Sequence, residues 1–166
     1  MQALSETDLP GLVERVIASE LPDPGAVRAW RSLLQAHATL MRQLETEFER
    51  ETGLALANFD VLAQLAIAGG ELRMTKLANR ALISRSGMTR RVARLVDDGL
   101  VRRSDADIDG RSVVVGLTEA GVARLTETAP IHARGIADYF VSRLDDEELA
   151  VLESALDKVT IDCTFG

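Results

Sequence analysis

Ser84-Arg85-Ser86-Gly87-Met88-Thr89-Arg90-Arg91-Val92-Ala93-Arg94-Leu95-Val96 is the stretch that decides how this chain folds. Stepped at about 100° per residue from Arg85, the apolar residues Met88, Val92, Leu95 and Val96 fall in one arc between about 280° and 20°. Ser86, Arg90 and Arg94 fall on the opposite side, and Arg91 lies at the flank, near ~240°. The pattern predicts a helix with one buried stripe and one basic outer face. Ser84 is placed to cap its start, and Gly99 to close it after Asp98.

Working outward, Thr75 is placed to cap a short helix carrying Leu77, Ala78 and Leu82, with Ile83 as the turn between the two helices. On the other side, Leu100–Arg103 and Ser112–Leu117 read as strands around a turn-rich loop, Asp105–Gly110, which predicts a β-hairpin with a long polar tip. Leu72-Arg73-Met74 is long enough for a single bridge of strand. Upstream, Asn58 is a candidate cap for a helix through Phe59, Val61, Leu62 and Leu65 that ends at Gly69-Gly70.

The flanks differ in kind. Val27, Trp30, Leu34, His37, Met41, Leu44 and Phe48 alternate by three and four in a segment from about Ala26 to Thr52, the seam of a helix that packs lengthwise on other helices. Thr118 opens a second long helix, in which Pro130 should produce a bend. Asp145 and Glu148 form a capping-box start for a last helix, with a stripe of Leu149, Leu152, Leu156 and Val159. A short amphipathic helix spans Leu9 to Leu21, before the break at Pro22-Asp23-Pro24-Gly25. The expected fold class is mainly α with a small β-wing: a winged helix-turn-helix flanked by long dimerisation helices. We expect a single domain over 1–166, with the winged helix-turn-helix lobe at 56–117 and dimerisation helices at 1–55 and 118–166.

Composition narrows the function. At 166 residues, 46% apolar and 27% charged, the chain is globular and of single-domain size. It has no apolar run of membrane-spanning length and no secretory pattern, so we expect a cytoplasmic protein that keeps away from membranes. Cys163 is the single cysteine and reads as an inert thiol; His37 and His132 are the two histidines. Neither a disulfide framework nor a metal site is expected, and no cofactor. Phosphate-binding glycine loops and nucleophile motifs are absent, which argues against an enzyme.

The net charge of −7 is unevenly distributed. Arg73 to Arg111 holds ten basic and five acidic residues, a local +5, whereas the rest holds nine basic and 21 acidic. Charge alone fits either a solvated helix face or a docking surface for a polyanion. The helix pattern favours the second. An α-helix fits the major groove of double-stranded DNA, where Arg reads guanine and Ser or Thr reaches bases or phosphates. The expected DNA-binding residues are Thr75, Lys76, Ser84, Arg85, Ser86, Thr89, Arg90 and Arg94, with Arg111 of the wing suited to the narrow minor groove. An interaction module that no longer bound DNA would have lost these arginines.

Leu77-Ala78, Leu82 through Arg90, Gly99 through Arg103, and Asp109-Gly110-Arg111 through Leu117-Thr118-Glu119-Ala120-Gly121 resemble the MarR-type transcriptional regulators. The resemblance runs from about Trp30 to Val159. It implies a homodimeric winged-helix protein on a pseudo-palindromic operator, commonly released by a small anionic or aromatic effector. It also implies that Asp109 braces an arginine of the recognition helix, Arg94 or Arg91. The extra N-terminal helix is similar to that of the urate-responsive branch, whose ligand is surrounded by a Trp, an Asp and an Arg. Asp60 and Arg91 match two of these; Glu20 stands where the Trp is expected. We therefore take Trp30, His37, Asp60 and Arg91 as candidate effector residues. Three of them have a structural alternative: seam packing for Trp30 and His37, and a helix N-terminus for Asp60.

Overall fold

The computed structural model describes residues 11–20, 23–81, 83–105 and 113–160. The elements run α1 (Leu12–Glu20), α2 (Pro24–Thr52), α3 (Leu56–Ile67), β1 (Glu71–Arg73), α4 (Met74–Arg80), α5 (Arg85–Asp97), β2 (Val101–Asp105), β3 (Val113–Leu117), α6 (Glu119–Tyr139), a short 3-10 turn (Val141–Arg143) and α7 (Asp146–Thr160). The fold is mainly α with one small antiparallel sheet, as expected. The chain forms two compact units, residues 1–42 and 43–166.

The first unit holds α1 and the N-terminal part of α2. Here the seam is open: Trp30 and Leu34 are exposed, as is Leu33 beside it. The second unit contains the core. Phe48, Leu54, Leu56, Phe59, Val61, Leu62 and Leu65 are buried together with Met74, Leu77 and Ala78 of α4, Met88, Val92 and Leu95 of α5, and Val101 and Val115 of the sheet. Helix α3 packs on α6, α4 and β3, and α4 packs on α5.

Several local expectations are revised. Asn58 does not cap α3. The cap position is Ala55, without a side-chain hydrogen bond, and Asn58 lies in the first turn. Thr75 likewise sits inside α4, which begins at Met74 directly after β1, with Arg73 at the cap position. Burial of Met74 explains the earlier start, because its side chain enters the core from the first helical position. Val96 leaves the buried stripe of α5 and is exposed. The hairpin is part of a three-stranded sheet in the order β1-β3-β2. Glu71 pairs with Gly116 and Arg73 with Val114 on one side of β3, and Val101 through Asp105 pair with Leu117 through Val113 on the other.

Other expectations hold. Thr118 caps α6 by accepting from the Gly121 amide at 3.0 Å, and its hydroxyl donates to the Gly99 carbonyl at 2.7 Å. Gly121 is required there, since a Cβ would lie 2.0 Å from the Leu100 carbonyl oxygen. Pro130 lies within α6, which continues to Tyr139. Asp145 and Glu148 form the reciprocal capping box: the Glu148 amide donates to Asp145 Oδ1 at 2.8 Å and the Asp145 amide to Glu148 Oε2 at 3.0 Å. The tip residues Asp109 and Arg111, and Cys163, lie outside the described residues.

Candidate nucleic-acid interface

The site is built on α5. Met88, Val92 and Leu95 are fully buried, which fixes the helix by one face. At roughly 1.5–3 kcal/mol per buried side chain, the three anchor the helix well beyond thermal rotation. The Ser84 hydroxyl accepts from the Gly87 amide at 3.1 Å and lies 3.2 Å from the Ser86 hydroxyl. Thr89 donates to the Arg85 carbonyl at 2.9 Å, which holds its hydroxyl close to the helix.

What the stripe buries, the opposite face presents. Arg85, Ser86, Thr89 and Arg90 line one open groove, and Arg94 is exposed one turn further along. On α4, Thr75, Lys76 and Arg80 are exposed, and Lys76 shares a shallow depression with Arg73, Leu72, Glu71 and Val114. Arg73 joins this surface although its sequence pattern does not single it out; its one signal is its position just before the helix that carries Lys76. Among the described residues, the expected DNA-contacting side chains of α4 and α5 are all solvent-facing. None of these cations is within ion-pair distance of a described carboxylate.

The effector candidates are distributed differently. Arg91 is half-buried at the flank of α5, and its Nη1 donates to Asn58 Oδ1 of α3 at 3.3 Å. Asp60 is half-buried on the same helix α3. Trp30 and His37 lie in the other unit and are exposed. Asn58 thus serves α5 rather than its own helix end. It accepts from a residue 33 positions away, and no local pattern signals that.

A second cluster was not anticipated. The ring of His132 on α6 lies 4.9 Å from that of Phe59 and 5.9 Å from that of Phe48, edge-on to the latter. Its Nδ1 is buried without a hydrogen-bond partner among the described residues. Burial pushes its pKa below the ordinary histidine value, with the Asp60 carboxylate pulling the other way. Further along α6, a hydrogen bond from the Tyr139 hydroxyl lowers the pKa of the Glu47 carboxyl and raises that of the phenol. Glu47, Phe48, His132 and Tyr139 line a small cavity of ≈ 20 Å³, about the size of one water.

A presented basic helix, a short helix before it and a sheet behind it form a winged helix-turn-helix. The MarR family model matches residues 52–112. An HTH-type transcriptional regulator of Bacillus cereus is 30% identical over 117 residues, covering 70% of this chain and 77% of that protein. The chain belongs to the MarR family. Among solved MarR structures, Sco3205 of Streptomyces coelicolor, crystallised in complex with DNA, is 32% identical with a TM-score of 0.78, covering 84% of this chain and 88% of its own. AbsC of the same organism is 28% identical with a TM-score of 0.76, covering 84% and 95%. This MarR protein is a DNA-binding transcriptional regulator, and its relatives are regulators rather than enzymes. No helix among the described residues is long and apolar enough to cross a membrane.

Proposed function

We propose that this MarR protein is a homodimeric, ligand-responsive repressor of the cytoplasm that binds a pseudo-palindromic operator. In this reading the lobe 56–117 docks on DNA, and segments 1–55 and 118–166 supply the dimer contacts. The observation that carries it is the division of α5 into a fully buried apolar stripe and an exposed face of Arg85, Ser86, Thr89, Arg90 and Arg94. Arg90 and Arg94 read base edges in the major groove. Ser84, Ser86, Thr75 and Lys76 meet phosphates, and Arg111 enters the minor groove. Asp109 braces Arg94 or Arg91 from the wing.

The effector is a small anionic, aromatic molecule. Arg91 supplies its charge partner, because it is the one arginine of α5 that turns back to α3, where it has a neutral amide as its partner. A ligand carboxylate would replace that 3.3 Å contact with a charge-assisted pair. A coupling of ~1–3 kcal/mol would then lower operator affinity roughly 5–150-fold. The test is a gel shift on the DNA upstream of the protein's own gene, titrated with salicylate and urate, using wild type and Arg91→Gln. Release from the wild type and resistance in the variant support the reading. Equal release from both removes Arg91 from the effector site, and absence of any shifted band overturns the operator assignment.

A further inference from the structure

Arg102 belongs to the basic block of the sequence, yet the fold turns it away from that role. Strand register places Glu71 of β1, Gly116 of β3 and Arg102 of β2 in one row across the sheet. The Arg102 guanidinium lies over Gly116: Nη2 donates to Glu71 Oε2 at 3.3 Å and Nη1 to the Leu117 carbonyl at 3.2 Å. A Cβ on residue 116 would meet Nη1 at 2.3 Å and Cζ at 2.8 Å. Without a side chain on the central strand, one guanidinium can therefore reach from β2 to β1.

We infer that Arg102 is a positioning residue for DNA binding, a clamp that ties the wing strands to the strand leading into the helix-turn-helix and so sets the wing's angle. Three features support this. Strand β1 runs without a break into α4, so Glu71 is anchored to the same rigid body as Lys76. Strands β2 and β3 carry the wing tip, so a hinge at their base would swing it. The β1–β3 ladder is three residue pairs long, so one side-chain tie across it adds substantially to the pairing of β1 with the wing strands. Both partners of the ion pair are exposed, so the clamp contributes little to global stability. Its effect lies in geometry. In this reading Arg102 serves the sheet through Glu71 and the Leu117 carbonyl rather than a phosphate. The inference rests on the proposed DNA contact of the wing.

The variants Arg102→Met, Glu71→Gln and Gly116→Ala separate this role from a phosphate contact. Gly116→Ala keeps the charge and displaces the guanidinium, the flexible end of its side chain. Glu71→Gln removes an acid next to the DNA surface. If Arg102 is a clamp, all three weaken operator binding by roughly 3–10-fold, as expected when the docking-competent geometry is only fractionally populated. Hydroxyl-radical footprints should then lose the flanking protection supplied by the wing and keep the protection over the α5 half-sites. Arg111→Ala is the reference. If it loses flanking protection and the three clamp variants keep it, the clamp is overturned and the wing contact stands. If Arg111→Ala also keeps it, the wing reading falls and the clamp with it. Tighter or unchanged binding by Glu71→Gln and Gly116→Ala beside weakened Arg102→Met makes Arg102 a phosphate ligand and overturns the inference. So does uniform loss of protection, which reports unfolding.

Discussion

His132 shows how a single side chain can set the pH response of the 43–166 unit. Its Nδ1 edge is buried between α6 and the Phe48 and Phe59 rings without a described acceptor, so the neutral imidazole is favoured and its pKa in the folded state is depressed. The unfolded chain, with an ordinary value near ~6.5, then takes up a proton before the folded one does. Stability is fully present above that value and declines as pH falls through it toward the depressed folded value. Replacing the ring by an apolar one, His132→Phe, should flatten this dependence. Melting temperatures at pH 7.5 and 5.5 check it: the wild type loses more on acidification than the variant, and parallel curves would falsify the assignment. The other histidine, His37, is exposed and serves as a control through His37→Gln. Nothing in the sequence around His132 announces this role, because its neighbours come from α2 and α3, more than seventy positions away.

Helix α5 is the element on which recognition depends, and it was the most legible part of the chain. Its cap, its buried stripe and its end before Gly99 are all local patterns, and all but Val96 lie where periodicity places them. The sheet was less legible. Three residues of β1 carry no period of their own, and their pairing with β3 is a long-range contact. Thr75 and Asn58 have the chemistry of helix caps, but each is displaced into its helix by a buried neighbour, Met74 in one case and Leu56 in the other. The exposed face of α5 and the α4 surface beside it should respond differently to truncation. Arg90→Ala should cost roughly 1–3 kcal/mol of operator affinity and relax base preference at one position of the half-site. Lys76→Ala on α4 should instead weaken all sequences alike and reduce the salt slope of log K by about 1. Titration of an operator library at several salt concentrations distinguishes them; the same response from both variants would show that α5 lies along the backbone rather than in the groove. Ser84→Ala tests the helix itself. Loss of the 3.1 Å cap bond should lower stability by about 1 kcal/mol, read from urea denaturation of the free protein.

At the scale of the whole molecule, the apolar faces that remain uncovered identify what the chain alone leaves unfinished. Val151, Leu156 and Val159 of α7 are 63%, 36% and 59% exposed, and Trp30 and Leu34 of α2 are 53% and 49% exposed. Most of these are seam positions read from the sequence, and seams of this kind bury their stripe only against another helix. The capping box at Asp145 and Glu148 gives α7 a defined start, so the stripe is presented on an ordered helix. In the proposed dimer a second copy covers the α7 stripe, and two-fold symmetry presents two α5 helices to the duplex, with half-sites about one turn, ~10 bp, apart. Point variants in the full chain test this without truncation. Val151→Glu and Leu156→Glu put a charge where a dimer would desolvate it, at a cost of several kcal/mol, so the dissociation constant of the dimer should rise ~100-fold or more. Both positions are solvent-facing in the single chain, so its secondary structure and the melting of the 43–166 unit should change little. Sedimentation should then show a monomer that retains its circular dichroism spectrum, and operator affinity should fall to that of a single half-site. A variant that stays dimeric at micromolar concentration would remove α7 from the interface and leave the α2 seam as the face to mutate next.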